Sequence, residues 1–251
     1  MSAAPLVLRD DKDGVATLTL NRPEKRNAVD RALFREFRAH VKALETDGGD
    51  AVGIVVLKGA GEHFCAGHDL TGPPHPDALG WLRQELLILE RLTKLRQPVI
   101  AAVRGTCYTG GLEMALSADF IIAAQSARFA DTHGKWGLVP GWGLSQRLPR
   151  RVGQAKALEM MLTCRPYTGA EAAAMGLANA CVADDALDAH VADLCATILA
   201  NSRHSNAANK KLVYDTDGLT LAQGLTHELM RNEGFAADMQ DRAGKFAKGR
   251  A

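Results

Sequence analysis

Residues 98–116 constrain this chain more than any other stretch. An apolar run, Val99-Ile100-Ala101-Ala102-Val103, passes through a tight turn into Gly110-Gly111-Leu112-Glu113-Met114-Ala115-Leu116. The run reads as a strand, and the segment from Gly110 reads as a helix that carries an acid, Glu113, on its first turn. A bare N–H at Gly110 beside a helix N-terminus suits a negative oxygen, and a carboxylate one turn later can move a proton. A second loop of the same kind lies upstream. There the buried-looking strand Val52-Gly53-Ile54-Val55-Val56-Leu57 leads into Gly59-Ala60-Gly61-Glu62-His63-Phe64-Cys65-Ala66-Gly67-His68-Asp69-Leu70. Two such loops can converge on one oxygen, so the pair reads as a site that stabilises an enolate.

Periodicity supplies the frame around these loops. Val15-Ala16-Thr17-Leu18-Thr19-Leu20 alternates with period two and reads as a strand paired with Leu6-Val7-Leu8-Arg9 across an Asp-Gly turn. Leu33, Phe34, Phe37, Val41 and Leu44 fall on one face of a helix over residues 30–45. Leu82, Leu86, Leu89, Leu92 and Leu95 do so over residues 79–95. A further strand is expected over residues 120–123. Beyond Arg147 the chain turns helical, with segments over 154–162, 186–199, 205–214 and 219–235, and Thr168-Gly169-Ala170-Glu171 forms a capping box. The expected organisation is a core over residues 1–195 and a C-terminal helical region over 196–251.

Composition excludes several classes. Thirty basic against 29 acidic residues give a formal charge of +1, so no global field attracts nucleic acid or an anionic membrane. No stretch approaches a membrane span, and the N-terminus lacks a basic start with a long apolar run, which makes the cytoplasm the expected compartment. Five widely spaced cysteines without a CxxC argue against a disulfide framework or structural zinc, and His63, Cys65, His68 and His75 match no zinc spacing. Arg31, Arg35, Arg38 and Lys42 make a basic stripe at helical spacing, but Asp30, Glu36 and Glu45 dilute it. A solvated helix face is the simpler reading, and no nucleic acid is expected.

The two glycine loops, together with Asn21-Arg22-Pro23-Glu24-Lys25-Arg26-Asn27-Ala28 and Gly137-Leu138-Val139-Pro140-Gly141-Trp142-Gly143, resemble the crotonase (enoyl-CoA hydratase/isomerase) superfamily in order and separation. The resemblance covers nearly the whole chain. It implies an α/β fold: a crotonase-like spiral of repeated ββα units with a C-terminal helical trimerisation region. It also implies an acyl-CoA thioester substrate, no cofactor, and a homotrimer or dimer of trimers. By position, the backbone N–H groups of His68 and Gly110 become the oxyanion hole, and Glu113 takes the first catalytic glutamate's place. Asp69 serves to fix its loop. Arg22, Lys25 and Arg26 lie along the CoA phosphates, the backbone near Asn27 and Ala28 holds the adenine, Ala66 also contacts the substrate or its CoA, and Trp136 and Trp142 wall the acyl pocket.

The chain departs from the family at the second glutamate, where His133 stands, with Asp131 two residues away. A histidine near its ordinary pKa of about 6.5 can still deliver a proton, so a Glu113/His133 pair remains workable for hydration of a 2-enoyl-CoA. The same change leaves isomerase, decarboxylase and thioester hydrolase reactions, or a non-catalytic acyl-CoA binder, as alternatives. Acyl-chain length is set by residues 71–77 and the following helix, and periodicity does not read it.

Overall fold

Asp13 and Gly14 set the first hairpin. Both have positive φ, 51° and 81°, as the two central residues of a type I′ turn must. They join β1 (Val7–Lys12) to β2 (Val15–Leu20) in antiparallel register from Lys12↔Val15 to Val7↔Leu20. The computed structural model describes residues 4–71 and 77–249. Beyond β2 every pairing in the large sheet is parallel: β3 (Ile54–Gly59), β4 (Val99–Val103), β6 (Phe120–Ala124) and β9 (Ala180–Val182) follow in the order β1-β2-β3-β4-β6-β9. Alternate residues enter different cores. Val55, Leu57, Ala101, Val103, Ile121 and Ala123 join the main cluster, and Ile54, Val56, Ile100, Ala102, Ile122 and Ala124 join a second one. Burial on both faces is why these strands appear in sequence as continuous apolar runs.

A smaller sheet turns the chain into a spiral. It contains β5 (Thr106–Tyr108), β7 (Arg128–Ala130) and β8 (Tyr167–Thr168). β4 passes into β5 and then α3 (Gly110–Leu116), and β6 passes into β7 and then α4 (Leu144–Val152). The first two turns repeat the pattern in reduced form. Val29 bridges His68 ahead of α1 (Arg31–Asp47), and Cys65 bridges Cys107 ahead of α2 (Ala78–Thr93). These small-sheet strands, two or three residues long, fall below the length at which alternation is readable, and so do not appear in the sequence pattern.

The helices hold to their expected faces. α1 starts where Asp30 accepts the Leu33 N–H at 2.8 Å, a cap worth about 1 kcal/mol, and buries Leu33, Phe34, Phe37, Val41 and Leu44. α5 (Gln154–Thr163) precedes α6 (Gly169–Ala174), whose Thr168/Glu171 capping box has both of its reciprocal bonds. α7 (Leu187–Ala200) covers the far face of the large sheet with Leu187, Val191 and Cys195, and runs through the boundary drawn at residue 195. α8 (Arg203–Asp215) is tied down by Lys210 and Tyr214, each 2.8 Å from Asp119. α9 (Leu221–Arg231) and α10 (Met239–Ala247) contain no buried residues. α4, with Pro149 inside it, and α10 are helices that periodicity alone does not mark out.

Candidate active site

Three glycines let the two loops touch. A Cβ on Gly111 would lie 2.3 Å from the Cys65 carbonyl oxygen, one on Gly67 would lie 2.0 Å from Thr109 Oγ1, and one on Gly110 would lie 3.5 Å from Gly67 Cα. The loops are stitched by Cys65 N–H to Thr106 O at 2.9 Å and Tyr108 N–H to Cys65 O at 3.0 Å. At the turn itself Thr109 has φ 46° and ψ −114°. A β-branched residue with positive φ stores about 1–3 kcal/mol of strain, and such strain concentrates where backbone groups are being aimed. Thr109 is held there by its N–H to Ala130 O at 2.9 Å. Immediately beyond it is Gly110, the first residue of α3. Among the described residues no acceptor takes up the N–H of Gly110 or of His68. Two unengaged main-chain donors on loops in contact are the arrangement that an oxyanion requires.

Glu113 sits one turn into α3 and is buried. Its Oε1 accepts the N–H groups of Trp142 (2.8 Å) and Leu144 (3.1 Å), which leaves Oε2 facing His133 Nε2 at 3.9 Å. Burial pushes the Glu113 pKa up, against the opposing effect of those two N–H donors. His133, on the 3-10 turn that follows β7, has its Nδ1 2.5 Å from Asp131 Oδ1, and Asp131 also accepts the His133 N–H at 3.0 Å. Burial alone would lower the His133 pKa. The hydrogen bond to Asp131 and the charges of Asp131 and Glu113 outweigh it, and the net shift is upward. Asp131, in sequence only a neighbour, is thus the group that orients His133.

The loop after β2 closes one side. Ala66 N–H donates to Arg26 O at 3.0 Å and Val29 N–H to Gly67 O at 2.8 Å, which brings Ala28 and Ala66 beside the glycine loop. Lys25 and Arg26 are exposed on it. Arg22 differs from the expectation. Its side chain is only 12% exposed, and its guanidinium donates to Ala28 O (2.7 Å) and pairs with Asp30 and Asp69 (both 3.1 Å). With two carboxylates already on it, Arg22 staples loops together and is not free to meet a phosphate. Asp69 fixes its loop as expected: the Thr71 hydroxyl and N–H, then Arg22, hold its pKa down to about 2.

The two tryptophans part company. Trp142 is buried at the centre of the site, whereas Trp136 is 63% exposed. Trp142 leads to a residue that periodicity had not singled out, Glu85 on α2. It is buried, and its carboxyl oxygens meet Trp142 Nε1 at 3.0 Å, His68 Nε2 at 3.3 Å and Trp81 Nε1. The available signal was its position: Glu85 lies three residues after Leu82 and four before Leu89, a charged residue on an apolar stripe.

Of the candidate metal ligands, His63 Nδ1 accepts the Thr106 N–H at 3.1 Å, Cys65 is buried with its thiol pushed up to about 12 by desolvation, and His68 meets Glu85. His75 lies outside the described residues, as do residues 72–76 of the loop expected to shape the acyl pocket. Among the described residues no group of three His, Cys, Asp or Glu side chains could hold a metal, and no helix is long and apolar enough to cross a membrane.

A ββα spiral with paired glycine loops and a buried glutamate is the architecture expected of the crotonase class. A family model described as enoyl-CoA hydratase/isomerase matches residues 10–248, and the chain belongs to that family, within the crotonase superfamily. A probable enoyl-CoA hydratase of Rhizobium meliloti (strain 1021) is 37% identical, over 96% of this chain and 97% of its own. A 1,2-epoxyphenylacetyl-CoA isomerase of Escherichia coli (strain K12) is 31% identical, over 96% and 94%. The crystal structure of an enoyl-CoA hydratase from Bacillus anthracis matches with a TM-score of 0.90 at 29% identity, over 98% of this chain and 97% of that one.

Proposed function

We propose that this protein hydrates 2-enoyl-CoA thioesters, adding water across C2=C3 through a thioester enolate. One observation carries the reading: Glu113 Oε2 and His133 Nε2 stand 3.9 Å apart beside the unengaged N–H groups of His68 and Gly110. That separation is too long for a direct hydrogen bond and short enough for one water to touch both groups. Glu113, made more basic by burial, takes a proton from the water as its oxygen bonds to C3. The C2=C3 pair shifts into a C1=C2 bond as the carbonyl pair moves onto the thioester oxygen, where the two N–H groups stabilise the negative charge. His133, whose pKa Asp131 raises, then delivers a proton to C2, and a proton passed from Glu113 to His133 resets the pair.

No cofactor beyond the substrate's own CoA enters this scheme. Lys25 and Arg26 supply charge for the CoA phosphates, and Trp142 a wall of the acyl pocket. α9 leaves Leu221, Leu225 and Leu229 exposed at i, i+4 and i+8, which supports a homotrimer, or a dimer of trimers, built through the C-terminal helices. The proposed compartment is the cytoplasm, in keeping with five unpaired cysteines.

The test is loss of enoyl absorbance from crotonyl-CoA and a longer 2-enoyl-CoA. Glu113→Gln and His133→Ala should each lower kcat by about 10²–10⁴-fold; wild-type turnover in Glu113→Gln would overturn the mechanism. A histidine oriented by a carboxylate, as in the Asp131–His133 pair, also serves thioester hydrolysis. Release of free CoA thiol in place of hydration would move the assignment there.

A further inference from the structure

We propose that Glu85 is a positioning residue for this reaction, holding the oxyanion-hole peptide at His68 and the Glu113 carboxylate in register with one another through Trp142. The inference rests on the hydratase reading and extends it to a residue outside the reacting groups.

The contacts of Glu85 all lead into the site. α2 lies tight on the turn that precedes α4: a Cβ on Gly141 would be 3.1 Å from Leu82 Cδ2, and one on Gly143 would be 3.8 Å from Leu86 Cδ1. Between those two leucines the Glu85 carboxyl group enters an otherwise apolar contact and meets three ring nitrogens, of Trp142, His68 and Trp81. Burying a carboxyl group is costly unless its oxygens are taken up, and an apolar side chain of similar volume would fill the same space. What the acid adds is direction.

Trp142 converts that direction into site geometry. Its indole N–H donates to Glu85 at 3.0 Å, and its backbone N–H donates to Glu113 Oε1 at 2.8 Å. The His68 ring meets the indole edge-on, with centroids 4.3 Å apart and planes at 80°. A Cβ on Gly110 would fall 2.9 Å from Trp142 Cζ3. The Trp142 ring therefore abuts both residues that offer oxyanion N–H groups, the backbone N–H of the same residue anchors the acid–base carboxylate, and Glu85 sets how that ring sits. On the outer side, Arg31 stacks 4.5 Å over the ring of Trp81, which closes the network at the surface.

Glu85→Gln keeps size and loses the second acceptor. Hydration of crotonyl-CoA should fall about 10- to 100-fold in kcat, with KM changed by no more than about twofold, because the donors are misaimed while the CoA contacts are untouched. The second reading uses 4-(dimethylamino)cinnamoyl-CoA, a chromophoric enoyl thioester whose absorption moves to the red as its carbonyl is polarised; that shift should shrink in Glu85→Gln. Trp142→Phe keeps the ring and loses the indole N–H. It should act in the same direction, and the double variant should be no worse than the poorer single one. Wild-type kcat and red shift in a folded Glu85→Gln protein would overturn the proposal, as would strictly additive effects. If Glu85→Gln does not fold, Trp142→Phe carries the test alone. A wild-type protein that polarises the probe without hydrating enoyl-CoA would sink the hydratase reading, and the red shift would then decide the role of Glu85. A wild-type protein that leaves the probe spectrum unmoved would refute both.

Discussion

Gly111→Ala tests the geometry most directly. The added Cβ would meet backbone, the Cys65 carbonyl oxygen at 2.3 Å and its carbon at 2.9 Å, where ordinary contact begins near 3.4 Å. Neither side has a flexible tip to move. Gly111 lies in the first turn of α3, and the Cys65 carbonyl is fixed by the Tyr108 N–H at 3.0 Å. The loops must therefore part by about 1 Å, and a misplacement of that size costs about 10²-fold in rate when it separates paired donors. Overpacking should also lower stability by about 1–3 kcal/mol. Steady-state hydration of crotonyl-CoA gives the first quantity and chemical denaturation the second. Acyl-CoA affinity, measured by calorimetry, should change less than kcat, since the Lys25 and Arg26 side chains are exposed on their own loop. A folded Gly111→Ala protein with wild-type kcat would refute the claim that close approach of these loops builds the oxyanion hole.

Other outcomes follow from the same contacts. In wild type, kcat/KM should fall on the alkaline side as His133 loses its proton, above the ordinary histidine value of 6.5, because Asp131 and Glu113 together outweigh burial. In Asp131→Asn burial remains and the main raising partner is gone, so that limb should move to lower pH; an unmoved limb in a pH–rate profile would show that another group titrates. Linkage has the same sign. A raised histidine pKa adds stability that is complete below about 6.5 and lost as pH rises through the folded value, so the pH dependence of melting in this window should flatten in Asp131→Asn. Lys25→Glu with Arg26→Glu should raise KM for acyl-CoA several-fold, roughly threefold or more at low salt, and leave kcat unchanged; equal KM values at low and high salt would discount the phosphate contact. Asp119→Ala takes the carboxylate from the buried Lys210 ammonium, which keeps only the Gln97 carbonyl at 2.9 Å, and frees the Tyr214 hydroxyl, at a cost of about 3–5 kcal/mol, seen at fixed protein concentration as a melting point lower by about 10 °C.

Elements came from local pattern, because helix and strand periods of 3.6 and 2 leave a repeating mark on neighbouring residues. The apolar face of α1, the Asp13-Gly14 hairpin and the Thr168/Glu171 capping box were legible in this way, each with its boundary residue. The glycines at the loop contact were legible too: Gly111 is required by backbone contact and Gly67 by its φ of 100°, and both stand in order along the chain. Side-chain partnerships were not. Arg22 beside Lys25 and Arg26 looks like part of a phosphate cluster until Asp30 and Asp69 are found upon it. Trp136 and Trp142 look alike in sequence, yet only the second turns inward. Glu85 breaks the leucine stripe of α2, but its meaning lies in Trp142, 57 residues away. Hydrogen bonds between distant side chains impose no period and no fixed spacing on a sequence; they exist only once the spiral has brought α2, the glycine loop and the Trp142 turn together. Local pattern was enough for the longer strands of the large sheet and most of the helices. The two- and three-residue strands of the small sheet, α4 and α10, and the partners of the charged side chains came only with the packed spiral, because short segments and long-range contacts leave no repeat in the chain.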